Sequence, residues 1–133
     1  MTIRLLTLIC AAVLFGAAAP PQGDLRGDWR NTKNTVHLHV QQCGATLCGI
    51  VTWAADQQRV DARNGTGTEL IGSRLLRNLK RGSDGSWHGD VFIPDINKTV
   101  SATVAEVDGD TIQITGCTLF GLVCKTQHWH RFQ

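Results

Sequence analysis

Apolar and polar residues alternate with a period of two along most of the chain after residue 35. This alternation is typical of β-strands that bury one face. Glycine and aspartate cluster between the runs, as in Gly82–Gly85 and Asp108-Gly109, and such residues suit tight hairpin turns. The pattern predicts an all-β protein, either a sandwich or a barrel. The apolar positions of the main runs are Val36, Leu38, Val40, Leu47, Val51, Trp53, Trp87, Val91, Ile93, Val100, Ala102, Val104, Ile112 and Ile114.

Two segments depart from this alternation. Five apolar residues between Leu70 and Leu79 recur at helical spacing and predict one amphipathic helix near Glu69 to Lys80. The competing interpretation makes Ser73 to Lys80 the first strand of a hairpin, and the pattern alone does not decide between them. Asp56 to Gly67 is rich in Asp, Asn and Gly, and we expect it to form the longest loop.

The first 19 residues have the order of a secretory signal peptide. Arg4 precedes an apolar run from Leu5 to Phe15, and small residues follow at Ala17 to Ala19. The run is shorter than the roughly 20 residues that cross a bilayer. We therefore predict cleavage after residue 19, no transmembrane segment afterwards, and a single mature domain over residues 20–133 that is periplasmic or secreted.

Charge and motifs exclude several classes of function. The formal net charge of +2 gives no electrostatic reason to expect a nucleic-acid partner. The chain contains no Gly-x-Ser-x-Gly, no phosphate-binding glycine loop with Gly-Lys-Ser/Thr, and no His-Glu-x-x-His. We expect no enzymatic activity and no cofactor.

Four cysteines remain after signal cleavage, and an even number in an exported domain favours two disulfides. They are Cys43, Cys48, Cys117 and Cys124. Local pairing of Cys43 with Cys48 and of Cys117 with Cys124 is slightly favoured, while cross-pairing such as Cys43 with Cys124 stays open. Zinc ligation is disfavoured because the spacings are wider than the usual C-x2-C.

Several strings together resemble the domain of unknown function 2147 family. They are Cys43 to Gly49, Asp61 with Asn64, Leu70 to Gly72, Trp87 to Thr99, and Gly116 to Arg131. The resemblance implies a small exported bacterial protein with a lipocalin-like, up-and-down antiparallel β-barrel of about eight strands, and it implies no established activity. It also favours a strand for Ser73 to Lys80. Phe92 and Val100 stand where the family pattern has tyrosines.

A closed barrel has consequences for both of its ends. If the cysteine pairs flank the first and last hairpin turns, all four cysteines lie at one rim. Gly27-Asp28-Trp29 is similar to the opening of lipocalin-type barrels, where a late arginine, here Arg131, stacks on the tryptophan and closes the other rim. The cysteine rim is then the predicted mouth.

Two His-x-His pairs, His37 with His39 and His128 with His130, fall on strands that we expect to adjoin. Four imidazoles in one patch suit a transition metal. The alternation sends all four outward to water, however, so metal binding is only a minor alternative.

We predict a binding protein whose barrel holds a small apolar or amphipathic molecule. An eight-stranded barrel is wide enough to hold one small ligand or to be filled by its own side chains. The alternative is a filled barrel that binds a protein, as lysozyme inhibitors do, through the basic stretch Arg74, Arg77, Lys80 and Arg81 or through the loop Thr118 to Val123. The predicted ligand-binding residues are Trp53, Trp87, Val91, Ile93, Val104, Ile112, Asp61 and Asn64.

Overall fold

The computed structural model describes residues 23–118 and 121–132. The predicted signal peptide lies outside them and stays a prediction. The elements in chain order are β1 (Gly27–Asn31), β2 (Val36–Cys43), β3 (Thr46–Ala54), α1 (Asp56–Thr66), β4 (Arg74–Arg81), β5 (Trp87–Ile93), the short 3-10 helix α2 (Pro94–Ile96), β6 (Lys98–Asp108), β7 (Thr111–Thr118) and β8 (Val123–Phe132).

The eight strands form one closed antiparallel barrel in sequence order. Each strand pairs with the next, and β1 also pairs with β8, with Trp29 opposite Arg131 and Asn31 opposite Trp129. Closure leaves no open sheet edge over the paired stretches. The prediction of an eight-stranded up-and-down barrel is confirmed.

Successive connections alternate between the two ends of the barrel because every strand reverses direction. The β1–β2 turn, α1, α2 and the β7–β8 turn lie at one end, which we call the mouth end. The β2–β3, β4–β5 and β6–β7 turns lie at the other, with the start of β1 and the end of β8. We call this the closed end.

The two disulfides are local, as favoured by the sequence, but they lie at opposite ends. Cys43 is bonded to Cys48 at the closed end, and Cys117 to Cys124 at the mouth end. The expectation that all four cysteines share one rim is wrong. Gly27–Asn31 is a strand of its own, so the Cys43–Cys48 turn is the second hairpin of the barrel and not the first.

The segment with helical spacing is strand β4, which confirms the hairpin interpretation. Leu76 and Leu79 are both buried although they are three residues apart. A β-bulge explains this spacing: the pairing with β5 shifts between Arg77 and Lys80, and Asn78 takes a left-handed φ of 56°. Because of the extra residue, the next inward-facing side chain comes three positions after Leu76 instead of two. This spacing resembles that of an amphipathic helix.

The segment expected to be the longest loop is instead mostly helix α1. Its sequence lacks an apolar stripe, and Ala62 is its buried residue, so periodicity offered no helical signal. The helix ends at Gly67, which has a left-handed φ of 76° and donates its N–H to the carbonyl of Arg63. No helix in the described part of the chain is long and apolar enough to cross a membrane.

Side chains fill the closed half of the barrel. Val40, Leu79 and Val104 are fully buried there, around Trp29, which is 1% exposed. The indole Nε1 of Trp29 donates to the carbonyl of Leu25 at 2.9 Å. This end is therefore a packed core.

Arg131 covers Trp29 at the closed end, with its guanidinium carbon 4.3 Å from the centre of the indole. The same guanidinium donates to the backbone carbonyls of Arg26 at 3.0 Å and Asp24 at 2.6 Å. One side chain thus ties the segment before β1 to the last strand.

Gly89 on β5 faces the bulge of β4, and we expect Gly89→Ala to destabilise the barrel. A Cβ there would collide with the carbonyl oxygen of Arg77 and lie 2.8 Å from that of Asn78. The expected loss is about 1 to 3 kcal/mol of unfolding free energy, measured by urea denaturation. Gly109→Ala is the matched control, since nothing lies within 4 Å of its Cβ. Equal stability of the two variants would contradict the bulge as the reason for Gly89.

Arg131→Met should lower the free energy of unfolding by about 1 to 3 kcal/mol, because it removes the cation–π contact and two charged hydrogen bonds. Lys80→Met, at an exposed site on β4, is the control and should stay within about 0.5 kcal/mol of the wild type. Urea denaturation measures both. Similar stabilities would mean that the stacked guanidinium does not stabilise the closed end.

Candidate ligand-binding site

A cavity of about 750 Å³ occupies the mouth half of the barrel. Its deep wall is apolar and comes from the inward faces of the strands. The partly exposed apolar residues of the lining are Val36, Leu75, Val91, Ile93 and Val100, and the buried residues Leu38, Leu76, Ile114 and Trp129 lie behind them at the base of the cavity. The volume lies in the range of small-molecule binding sites. The barrel thus combines a filled half with a hollow half.

Polar side chains surround the cavity toward the mouth, on two sides. Helix α1 contributes Gln58 and Asp61, and α2 contributes Asp95. On the other side, the β1–β2 turn contributes Lys33 and β8 contributes Lys125. The site is therefore amphipathic, with an apolar depth and a charged entrance.

Helix α1 is held at the mouth by close backbone packing against α2. Gly65 makes this approach possible, because a Cβ there would collide with the carbonyl oxygen of Pro94 and lie 2.6 Å from that of Asp95. Ala62, buried to 2% exposure, packs against the core on the inner side of α1. The helix thus forms part of the cavity wall.

Three of the eight predicted binding residues, Val91, Ile93 and Asp61, line the cavity. Trp87, Val104 and Ile112 lie instead in the closed half, around a crevice of about 20 Å³. The prediction misplaced these three because period-two alternation identifies the inward face of a strand but not the height along the barrel axis.

Trp53 and Asn64 do not line the cavity either. The pairing of β2 with β3 shifts so that His37 faces Trp53 while Leu38 faces Val51, which makes Thr52 the extra residue of a bulge. Trp53 is consequently 42% exposed and contacts His37, with ring centres 4.7 Å apart. Asn64 is exposed on α1.

The sequence contained a signal for residues that the prediction missed on β8. Val123, Lys125 and Gln127 share the alternation of Trp129, and all four line the cavity. Gln58 and Lys33 had no such signal, because a polar helix and a turn have no period that reveals their orientation.

The two histidine pairs do not adjoin, because β1 lies between β2 and β8. His37 Nε2 lies 2.7 Å from Asn34 Oδ1, and His39 Nδ1 lies 2.9 Å from Asp28 Oδ1. Burial lowers the pKa of His37, and the nearby charge of Arg30 lowers it further. Within residues 23–118 and 121–132, no group of three or more His, Cys, Asp or Glu is arranged to hold a metal ion.

Two buried polar atoms beside the cavity lack hydrogen-bond partners in the described part of the chain. They are Nε1 of Trp129 and Oε1 of Gln58. An unpaired buried donor or acceptor costs about 1 to 3 kcal/mol. In the closed half, by contrast, the buried Nε1 of Trp29 donates to the carbonyl of Leu25.

Comparison with known proteins places these features in a family. The model of an uncharacterised family conserved in bacteria, DUF2147, matches residues 27–131. The chain belongs to the DUF2147 family. The match covers the strands of this DUF2147 protein, apart from the last residue of β8, and it includes helix α1 with its cavity-lining residues.

A solved structure with the same fold is HP1028 from Helicobacter pylori, described as a member of the lipocalin family. It is 15% identical, with a TM-score of 0.62, and the alignment covers 84% of each chain. At this identity the likeness shows the fold alone. No curated protein matches this DUF2147 chain.

Glu69 joins α1 to the segment before β4. Its carboxylate accepts hydrogen bonds from Arg59 Nε at 2.8 Å and Arg63 Nη2 at 2.6 Å. Hydrogen bonds from Arg59, the larger cause, and from Arg63 lower the pKa of the Glu69 carboxyl from 4.5 to about 2. The ion pairs therefore hold the cavity-lining helix in place.

Because the pKa of Glu69 is lower in the folded protein, its stabilising contribution is present above pH 4.5 and is lost as the pH falls toward 2. Glu69→Gln should lower the melting temperature at pH 6, and the difference from the wild type should shrink at pH 2.5. Thermal denaturation followed by circular dichroism measures it. A difference that is the same at both pH values would show that the charge of Glu69 does not stabilise the fold.

Proposed function

We propose that this DUF2147 protein is an exported, non-catalytic binding protein that holds one small apolar or amphipathic molecule in the mouth half of its barrel. The observation that carries the proposal is the cavity of about 750 Å³. A barrel of eight strands can be filled by its own side chains. Here side chains fill only the closed half of the barrel, and the cavity in the mouth half favours a site for a ligand.

The unpaired atoms of Trp129 and Gln58 support this proposal. Buried polar groups without partners are rare and often belong to functional sites. Both atoms belong to residues of the cavity wall, whereas the closed half pairs its buried indole. The two buried side-chain atoms that lack a partner among the described residues therefore favour the mouth half as the binding site.

Export is supported by the two disulfides and by the predicted signal peptide. Disulfides persist in oxidising compartments such as the bacterial periplasm. Both bridges close short hairpins, one at each end of the barrel. A periplasmic or secreted location agrees with a family conserved in bacteria.

Protein binding through the β7–β8 turn is the second candidate. Leu122 is 84% exposed and Val123 48% exposed, and exposed apolar residues often mark contact surfaces. Leu119 and Phe120 of the predicted loop lie outside the described residues. The filled interior that would favour an inhibitor is absent from the mouth half, so ligand binding is the better-supported function.

Val91→Trp should reduce binding of the dye N-phenylnaphthylamine by about tenfold or more, because the larger ring occupies the cavity. Val107→Trp is the matched control, since Val107 is 55% exposed and does not line the cavity. Dye fluorescence measures binding, and circular dichroism checks folding. Val100→Phe, at another lining position, repeats the test if Val91→Trp does not fold. Unchanged binding in folded cavity variants would contradict the proposal.

Native mass spectrometry of the protein purified from the periplasm tests the same proposal without a chosen probe. We expect a fraction with a mass above that of the chain, and we expect denaturation to release a small molecule. Val91→Trp should lack this fraction, and Val107→Trp should retain it. A bare chain, or a bound protein in place of a small molecule, would favour the second candidate.

A further inference from the structure

Lys125 lies at an inward-facing position of a barrel strand, where alternation usually places an apolar residue. It shares the face of Gln127 and Trp129 on β8, and it lines the cavity. Its partner on β7 is Gly116, where a Cβ would lie 3.1 Å from Val91 Cγ1 and 3.2 Å from Val100 Cγ2. Lys125 is exposed and lies toward the mouth end of β8, so it stands at the entrance of the cavity beside an apolar wall.

A second lysine lines the same side because β1 is short. β1 pairs with β8 only from Asp28 to Asn31, so the mouth half of β8 has no strand partner on that side among the described residues. The β1–β2 turn, which contains Lys33, follows directly and lines the cavity. Within the described residues, neither Lys33 nor Lys125 forms an ion pair with a carboxylate.

The acidic residues of the entrance lie across the barrel from these lysines. Asp61 is on α1, between β3 and β4, and Asp95 is on α2, between β5 and β6. In the closed order of strands, β8 and β1 are on the far side from β4 and β5. The entrance therefore has a cationic side and an anionic side.

Below the lysines, Gln127 follows Lys125 on the same face of β8, and the wall beyond it is apolar. Lys125 and Trp129 are four residues apart, which corresponds to about 13 Å along a strand. Ile114 and Leu38 line the depth beside Trp129. A charged group placed there would be buried without a counter-charge, which is strongly unfavourable.

We propose that the ligand is a single-chain amphiphile with an anionic head, a carboxylate or a phosphate, that binds Lys33 and Lys125 while its chain fills the apolar depth. This inference rests on the proposed function and adds the chemical class and orientation of the ligand. The lysines are exposed, so the ion pairs are weakened by water and by salt.

Four probes with the same decyl-length chain separate the possibilities: decanoate, decyl phosphate, decanol and decyltrimethylammonium. Each is tested below its micellar concentration by displacement of the neutral dye N-phenylnaphthylamine. We expect both anions to bind about three- to tenfold more tightly than decanol at low salt. Added salt should reduce this preference. The stronger of the two anions identifies whether the natural head is a carboxylate or a phosphate.

The double variant Lys33→Met/Lys125→Met should lose the preference for anions and bind decanol as the wild type does. Lys98→Met is the matched control, because Lys98 is exposed at the same end of the barrel but does not line the cavity. It should retain the preference.

Three results would overturn the inference. Equal binding of the anions and decanol by the wild type would show that the lysines do not select the head. An equal loss of decanol and anions in the double variant would mean that the lysines act on the fold. Tightest binding of decyltrimethylammonium would assign the head to Asp61 and Asp95. If neither the dye nor any probe binds, the proposed function itself fails, which is a separate result.

Discussion

The pairing of β1 with both β2 and β8 is the constraint on which the rest of the structure depends. This strand of five residues closes the barrel, and it brings Trp29 under the guanidinium of Arg131. It also determines which end each turn occupies. Because β1 is short, it closes the wall at one end, and among the described residues it leaves the mouth half of β8 paired with β7 alone. A sealed base and an open mouth therefore follow from the same strand.

The two halves of the barrel have different physical requirements. In the closed half, side chains fill the interior and the buried indole of Trp29 is hydrogen-bonded. In the mouth half, the wall is apolar in its depth and charged residues surround the entrance, and two buried polar atoms have no partner among the described residues. The closed half can supply stability while the mouth half tolerates groups that reduce it. The disulfide of Cys117 with Cys124 closes the hairpin that carries Lys125.

Bulges explain where reasoning from the sequence pattern succeeded and where it failed. Outside the bulges, the period of two identified the inward faces of the strands, including Val91 and Ile93 in the cavity wall. At Asn78 one extra residue made a strand resemble a helix, and at Thr52 another turned Trp53 outward. A bulge depends on the register with a neighbouring strand. The sequence of one strand does not reveal it.

The sequence by itself determined the strand class and slightly favoured the local disulfide pairing, and the family resemblance implied the contact of Trp29 with Arg131. The strand class and the disulfides depend on strand alternation and on neighbours close in the chain, whereas the contact of Trp29 with Arg131 joins distant residues and came from the family resemblance alone. Only the tertiary structure decided the height of each inward residue along the barrel, the helical state of the polar segment that forms α1, and the separation of the two disulfides to opposite ends. Those features depend on strand register and on which strand closes the barrel, and both are set by contacts between residues far apart in the chain.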